Sequence, residues 1–163
     1  MNTHPRLLRT IWLLIVLAVT VSFAPASKAQ EFDPEHPYKI APDGTVDWYV
    51  YNGYRRYAST CHVCHGPDGL GSSFAPALVD SLKKMTYDQF AEVVVNGRKN
   101  VTTATENVMP SFGTNPDVVC YLNDIYAYLK ARSDGMVGRG RPPKHEPKPP
   151  EAKAAEESCL GPS

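Results

Sequence analysis

The chain has 163 residues, with 17 Lys and Arg against 17 Asp and Glu, and four cysteines. A neutral balance without a basic stripe offers nothing to hold a polyanion, which excludes nucleic-acid binding as the main role. The length allows one small domain.

In chain order, MNTHPRLLR carries two arginines, TIWLLIVLAVTVSFA is uncharged and apolar, and PASKAQ supplies the small residues Ser27 and Ala29. This is the layout of a secretory signal peptide over residues 1–29, with cleavage expected after Ala29 and a periplasmic destination. Thr10 to Ala24 is short of the roughly 20 residues of a spanning helix, so an uncleaved anchor is the alternative. Cleavage removes Arg6, Arg9 and Lys28 and no acid, leaving a net charge of −3 and no second hydrophobic run. A monomer without a membrane span is expected.

Residues 30–41 read as an N-terminal arm and 42–134 as the folded domain. Period-2 alternation is missing, so the expected class is all-α: three main helices and long loops. A first helix is expected over Val46 to Thr60, with Tyr49, Gly53, Tyr57 and Cys61 on one face. Gly53 in its middle costs about 1 kcal/mol against alanine, which a close helix crossing would explain. A second is expected from Tyr87 to Asn96, with a Thr86–Gln89 capping box, a Met85–Phe90 staple and Gly97 at its end. The third runs from Pro116 to Ser133, capped by Asn115 and ended by Gly135. Its apolar stripe is Val118, Tyr121, Leu122, Ile125, Tyr128 and Leu129, with Cys120 on the opposite face. From Gly135 onward, glycine, proline and charge dominate, and 135–163 reads as an extended or disordered tail. The two long inter-helix loops suggest wrapping around something.

The motif Cys61-His62-Val63-Cys64-His65 has the C-x-x-C-H spacing for covalent haem attachment. Two thiols a helical turn apart can each form a thioether to one porphyrin vinyl group, and His65 then offers its imidazole to the iron. One motif implies one haem c. Zinc would need two further ligands, and Cys120 and Cys159 do not form a second knuckle. A redox dithiol would sit at a helix start within a βαβ unit, and no strand precedes it. A plain structural disulfide leaves His65 and the neighbouring glycines without a purpose.

A second strong axial ligand makes an iron an electron carrier; an open site makes it an enzyme or gas sensor of peroxidase type. Met85 is used by the staple, Met136 lies in a glycine-rich exit, His145 among prolines, and His36 in the arm. Met109 remains, stiffened by Pro110, with His36 the leading substitute and a core methionine the bland alternative.

These residues resemble class I c-type cytochromes: a helix with Gly53 and Tyr57, CHVCHG, a Pro76 loop, Met109–Pro110, and IYAYLK in the last helix. The resemblance implies that Gly53 and Tyr57 cross against Ile125, Tyr128 and Leu129. It implies that the Pro76 carbonyl accepts from the His65 ring. Tyr57 is expected in the cofactor's surroundings, and Arg98 either meets a haem propionate or is a solvated surface arginine. The stretch DWYVYNGYRRYASTCHVCHGPDGLGSSFAPAL with two further cysteines is similar to four-cysteine cytochromes of methanol metabolism. Their role resembles that of cytochrome cL, acceptors of electrons from pyrroloquinoline-quinone (PQQ) methanol dehydrogenases, particularly lanthanide-dependent ones. The implied partners are such a dehydrogenase as donor and a downstream cytochrome or oxidase as acceptor; a carrier for another periplasmic oxidoreductase is the alternative.

An even number of cysteines in an oxidising compartment invites a Cys120–Cys159 bridge strapping the tail over the last helix. Two unpaired thiols, or a bond between molecules through Cys159, are the alternatives.

Overall fold

The computed structural model describes residues 32–101 and 106–161, so the expected signal peptide lies outside the described residues. Helix α1, Trp48–Thr60, starts where Asp47 caps it, accepting from the Val50 N–H at 2.8 Å and the Lys39 N–H at 2.6 Å. Val46, expected as its first residue, instead forms β-bridges to Ile40 and His145. One further turn, α2 (His62–His65), follows directly, then a 3-10 turn at Pro67–Gly69 and a short α3 (Leu78–Ser81). Helix α4 (Tyr87–Asn96) has the expected capping box: Thr86 Oγ1 accepts from Gln89 N–H at 3.3 Å, and Gln89 Oε1 accepts from Thr86 N–H at 3.0 Å.

The expectation of no strands is corrected. β1 (Arg98–Val101) and β2 (Glu106–Met109) pair antiparallel, Arg98 opposite Met109. No clean alternation marks them: Arg98, Lys99, Asn100 and Val108 are exposed, so little buried face imposes a period of two. The β-branched content of VTTATENV was the available signal.

The third expected helix is two. Asn115 caps α5 (Pro116–Val119), accepting from Asp117 N–H at 3.0 Å, and α6 is Leu122–Ser133. Between them, Tyr121 leaves helical geometry (φ −126°, ψ 18°), and its buried ring lies under the Arg56 guanidinium, 3.4 Å from the ring centroid.

The main packing is α1 across α6. Val50, Tyr57, Ile125, Tyr128 and Leu129 are fully buried there, with Leu82, Phe90 and Val94 extending the core towards α4. Aromatic rings knit it together: Tyr128 meets Tyr54 at 5.5 Å and Tyr57 at 5.6 Å between centroids.

The tail is also ordered, contrary to the sequence expectation. Val46 N–H donates to Lys144 O at 3.1 Å and Glu146 N–H to Val46 O at 2.9 Å. His145 stacks on Tyr51, centroids 3.6 Å apart, and Arg141 donates to the Tyr51 hydroxyl. Helix α7 (Pro150–Leu160) follows, and a Cys120–Cys159 disulfide joins it to α5, Cα atoms 5.8 Å apart. Hydrophobic content underrates such a segment, because backbone bridges, a stacked ring and one covalent bond hold it in place of a broad apolar face. Pro150 at the first helical position and the run EAKAAEE carried the missed helical signal.

Candidate functional site

Cys61, Cys64 and His65 sit on one nearly continuous helical path. Cys61 keeps αR geometry as the C-cap of α1, with its N–H on Tyr57 O at 2.9 Å. The His65 N–H then reaches Cys61 O at 2.9 Å. One turn therefore carries both thiols and the imidazole, and neither thiol is bonded to the other. Cys61 is half-buried; burial, and then the nearby Cys64, push its thiol up to about 11. A redox dithiol needs the opposite, a depressed thiol that ionises readily.

His65 is 7 % exposed, with Nδ1 3.0 Å from the Pro76 carbonyl oxygen. A carbonyl only accepts, so this bond puts the ring proton on Nδ1 and leaves the Nε2 lone pair available to a metal. The bond also fixes the ring plane.

The loop after His65 doubles back tightly. A β-carbon on Gly66 (φ 70°) would stand 2.3 Å from the Gly71 oxygen, so only glycine passes there. Tyr57 ties this loop to α1: its O–H donates to Gly66 O at 2.5 Å and accepts from Gly69 N–H at 3.0 Å. Burial pushes that phenol up to about 12, keeping it a neutral donor. Tyr57 thus serves the loop carrying His65, a role its helical spacing could not reveal.

Met109 ends β2, half-buried against the core. The strand is pressed onto the end of α4: a β-carbon on Gly97 would be 2.7 Å from Met109 O. Beyond Pro110, Ser111 Oγ donates to Val95 O at 2.5 Å, Phe112 N–H to Val94 O and Gly113 N–H to Val95 O, both at 3.0 Å. The last-turn carbonyls of α4, which a helix leaves unpaired, are what anchor the Met109 loop. Arg98 is exposed at the start of β1.

Four of the other candidate ligands are engaged or exposed. His36 pairs with Asp33 at 3.1 Å, His145 lies on Tyr51, His62 is exposed, and Met136 is exposed. Among the described residues no group of three or more His, Cys, Asp or Glu is gathered to hold a metal ion.

The donor set fits a covalently bound haem: two free thiols one turn apart and a buried imidazole whose Nδ1 is tied to a carbonyl, leaving Nε2 to meet a metal. Val63, Leu70 and Phe74, within or just after the motif, stay exposed at 80 %, 43 % and 74 %.

Comparison with known proteins agrees with this geometry. Residues 50–129 match the family model described as cytochrome c oxidase, cbb3-type, subunit III. The chain is 55% identical over 123 residues to cytochrome c-553I of Paracoccus denitrificans, a match covering 76% of this chain and 54% of that protein. It therefore spans about half the length of that relative. Cytochrome c-555 of Methylococcus capsulatus is 44% identical over 96 residues, 58% of this chain and 72% of that protein. The crystal structure of the c-type cytochrome XoxG from Methylobacterium extorquens AM1 superposes with a TM-score of 0.65 at 40% identity, covering 82% of this chain and 95% of that one.

Proposed function

The chain belongs to the c-type cytochromes, with the class I fold and covalent haem c as its cofactor, and on that premise we propose a specific donor and ligand set for it. Its general role is that of its relatives, carrying electrons. The proposed donor is a PQQ-dependent methanol dehydrogenase of the lanthanide type in the periplasm, and the acceptor a downstream cytochrome or oxidase. The observation that carries the donor is likeness to XoxG, a methanol-oxidation-related cytochrome, along nearly its whole length.

Haem c supplies a reversible one-electron centre. Cys61 and Cys64 would hold it by thioethers, His65 Nε2 would be the proximal ligand and Met109 the distal one, with Arg98 near a propionate. The Pro76 carbonyl keeps the His65 proton on Nδ1, so that Nε2 would be the nitrogen offered to the metal. The tie from Tyr57 to Gly66 and Gly69 keeps the loop behind that ring closed to rearrangement.

Export by residues 1–29 to the periplasm is part of this proposal; among the described residues no helix is long and apolar enough to cross a membrane. The test is direct: the oxidised cytochrome is mixed with a lanthanide-loaded methanol dehydrogenase and methanol, and haem reduction is followed optically. Rapid methanol-dependent reduction is expected. No reduction by any such enzyme from the same cell would redirect the assignment to another periplasmic oxidoreductase.

A further inference from the structure

Asp68 stands at the apex of the loop behind His65, and among the described residues it is the one non-glycine residue with positive φ, 60°. It is also only 8 % exposed. Strained backbone of this kind persists where the surroundings over-determine it. Here they come from the far end of the chain. Gly140 N–H donates to Asp68 Oδ1 at 2.8 Å and Arg139 Nε to Oδ2 at 3.1 Å. Arg132 Nε donates to the Asp68 carbonyl at 3.3 Å, while its Nη1 holds Val137 O at 2.6 Å and turns the chain after α6 towards the loop. Burial pushes the Asp68 carboxyl up, but the Gly140 N–H and the two arginines outweigh it and hold the group below its ordinary range.

The loop passes this restraint on. Gly71 N–H donates to His65 O at 2.8 Å. A β-carbon on Gly71 would lie 2.7 Å from Ala77 N and 3.1 Å from the Pro76 carbonyl carbon, so the two backbones are in contact. Pro76 is the residue that fixes the His65 ring.

We infer that Asp68 is a positioning residue: clasped by Arg139 and Gly140, it clamps the loop 66–71 against Pro76–Ala77 and so holds the His65 imidazole in one orientation. The segment after α6 thereby tunes the proximal side of the haem. This rests on the reading of His65 as the iron ligand.

The test uses the holoprotein and the variants Asp68→Asn, Arg139→Gln, Arg139→Lys and the Asp68→Asn/Arg139→Gln pair. Asparagine tolerates positive φ, so the first change removes charge without forcing the backbone. The Arg139 side chain is 70 % exposed, so its loss does not threaten the fold. A loosened Pro76 bond makes the imidazole a weaker donor to ferric iron and raises the potential. If charge alone acted, Asp68→Asn would raise the potential and Arg139→Gln would lower it, additively. The clamp instead requires both to raise it, the pair to raise it no further than the larger single change, and Arg139→Lys to recover part of it. Hydrogen exchange gives a second readout: the Gly71 amide should exchange at least tenfold faster in both single variants, with the Val50 amide of α1 unchanged. A fall in potential for Arg139→Gln, or unaltered Gly71 exchange, overturns the proposal. Hyperfine-shifted resonances of His65 in the wild-type protein test the ligand reading separately, and the Gly71 readout does not depend on it.

Discussion

Gly53 and the carbonyl of Asp124 meet where α1 crosses α6: a β-carbon at residue 53 would stand 1.8 Å from that oxygen and 2.9 Å from Cβ of Tyr128. Both obstacles belong to the core of the opposing helix, so neither can swing aside as the tip of a long side chain would. Helix propensity alone says Gly53→Ala should stabilise α1 by about 1 kcal/mol. The crossing says the reverse, because the helices must separate and Ile125, Tyr128 and Leu129 must repack. We expect a loss of about 3 kcal/mol or more in denaturant unfolding of the holoprotein. A midpoint at or above the wild-type value would contradict this account of the crossing.

The Asp124 side chain bears on the same crossing. Burial raises its carboxyl from the ordinary 3.8 to about 7; the Asn52 amide donates to it at 2.7 Å and pulls it down, while Asp47 and Glu156 push it further up. A carboxyl with a raised folded-state pKa binds its proton more tightly when native. Its contribution is therefore complete below the ordinary value and is lost as pH rises from about 4 through about 7. That loss should be on the order of 2–3 kcal/mol once screening at its half-buried edge is allowed for. Urea titrations across this range should show stability declining, with Asp124→Asn flattening the decline. An equal slope in the variant would assign the pH dependence elsewhere.

Met109→Ala should keep covalent haem while lowering the reduction potential and opening the iron to carbon monoxide. The thioethers do not depend on the distal loop, and a lost thioether ligand destabilises ferrous iron. The same experiment separates carrier from peroxidase-type chemistry: full carbon monoxide binding by the reduced wild-type protein would point to an open site.

The Cys120–Cys159 bridge closes a separation of 39 residues. Replacing both cysteines by serine should cost about 4 kcal/mol on the chain-entropy model. It should also release α7 first, since Ala152 is its one buried residue. Mass analysis without reductant should find no alkylatable thiol at either position and no dimer; faster proteolysis within 150–160 of the double variant would report the freed helix.

The haem motif, the capping box of α4, the Asn115 cap of α5 and the stripe of α6 were legible in the sequence because each is a local pattern. C-x-x-C-H is spaced by a single helical turn, Thr86 and Gln89 satisfy each other three residues apart, and Asn115–Pro116 starts a helix by itself. The Met109 assignment came from elimination, and the structure adds what elimination cannot: the α4 carbonyls that anchor its loop. Tyr57 could be placed on a helix face, but its hydrogen bonds to Gly66 and Gly69 depend on how the loop turns back. Only tertiary structure decided the hairpin around Met109, in which Arg98 pairs with Met109. It also decided the order of the tail, whose partners Val46, Tyr51 and Asp68 lie some 70 to 100 residues away in the chain. Composition measures how much apolar surface a segment can bury, and this tail is held chiefly by backbone bridges, an ion pair and a disulfide that exist only after α1 and α6 have met.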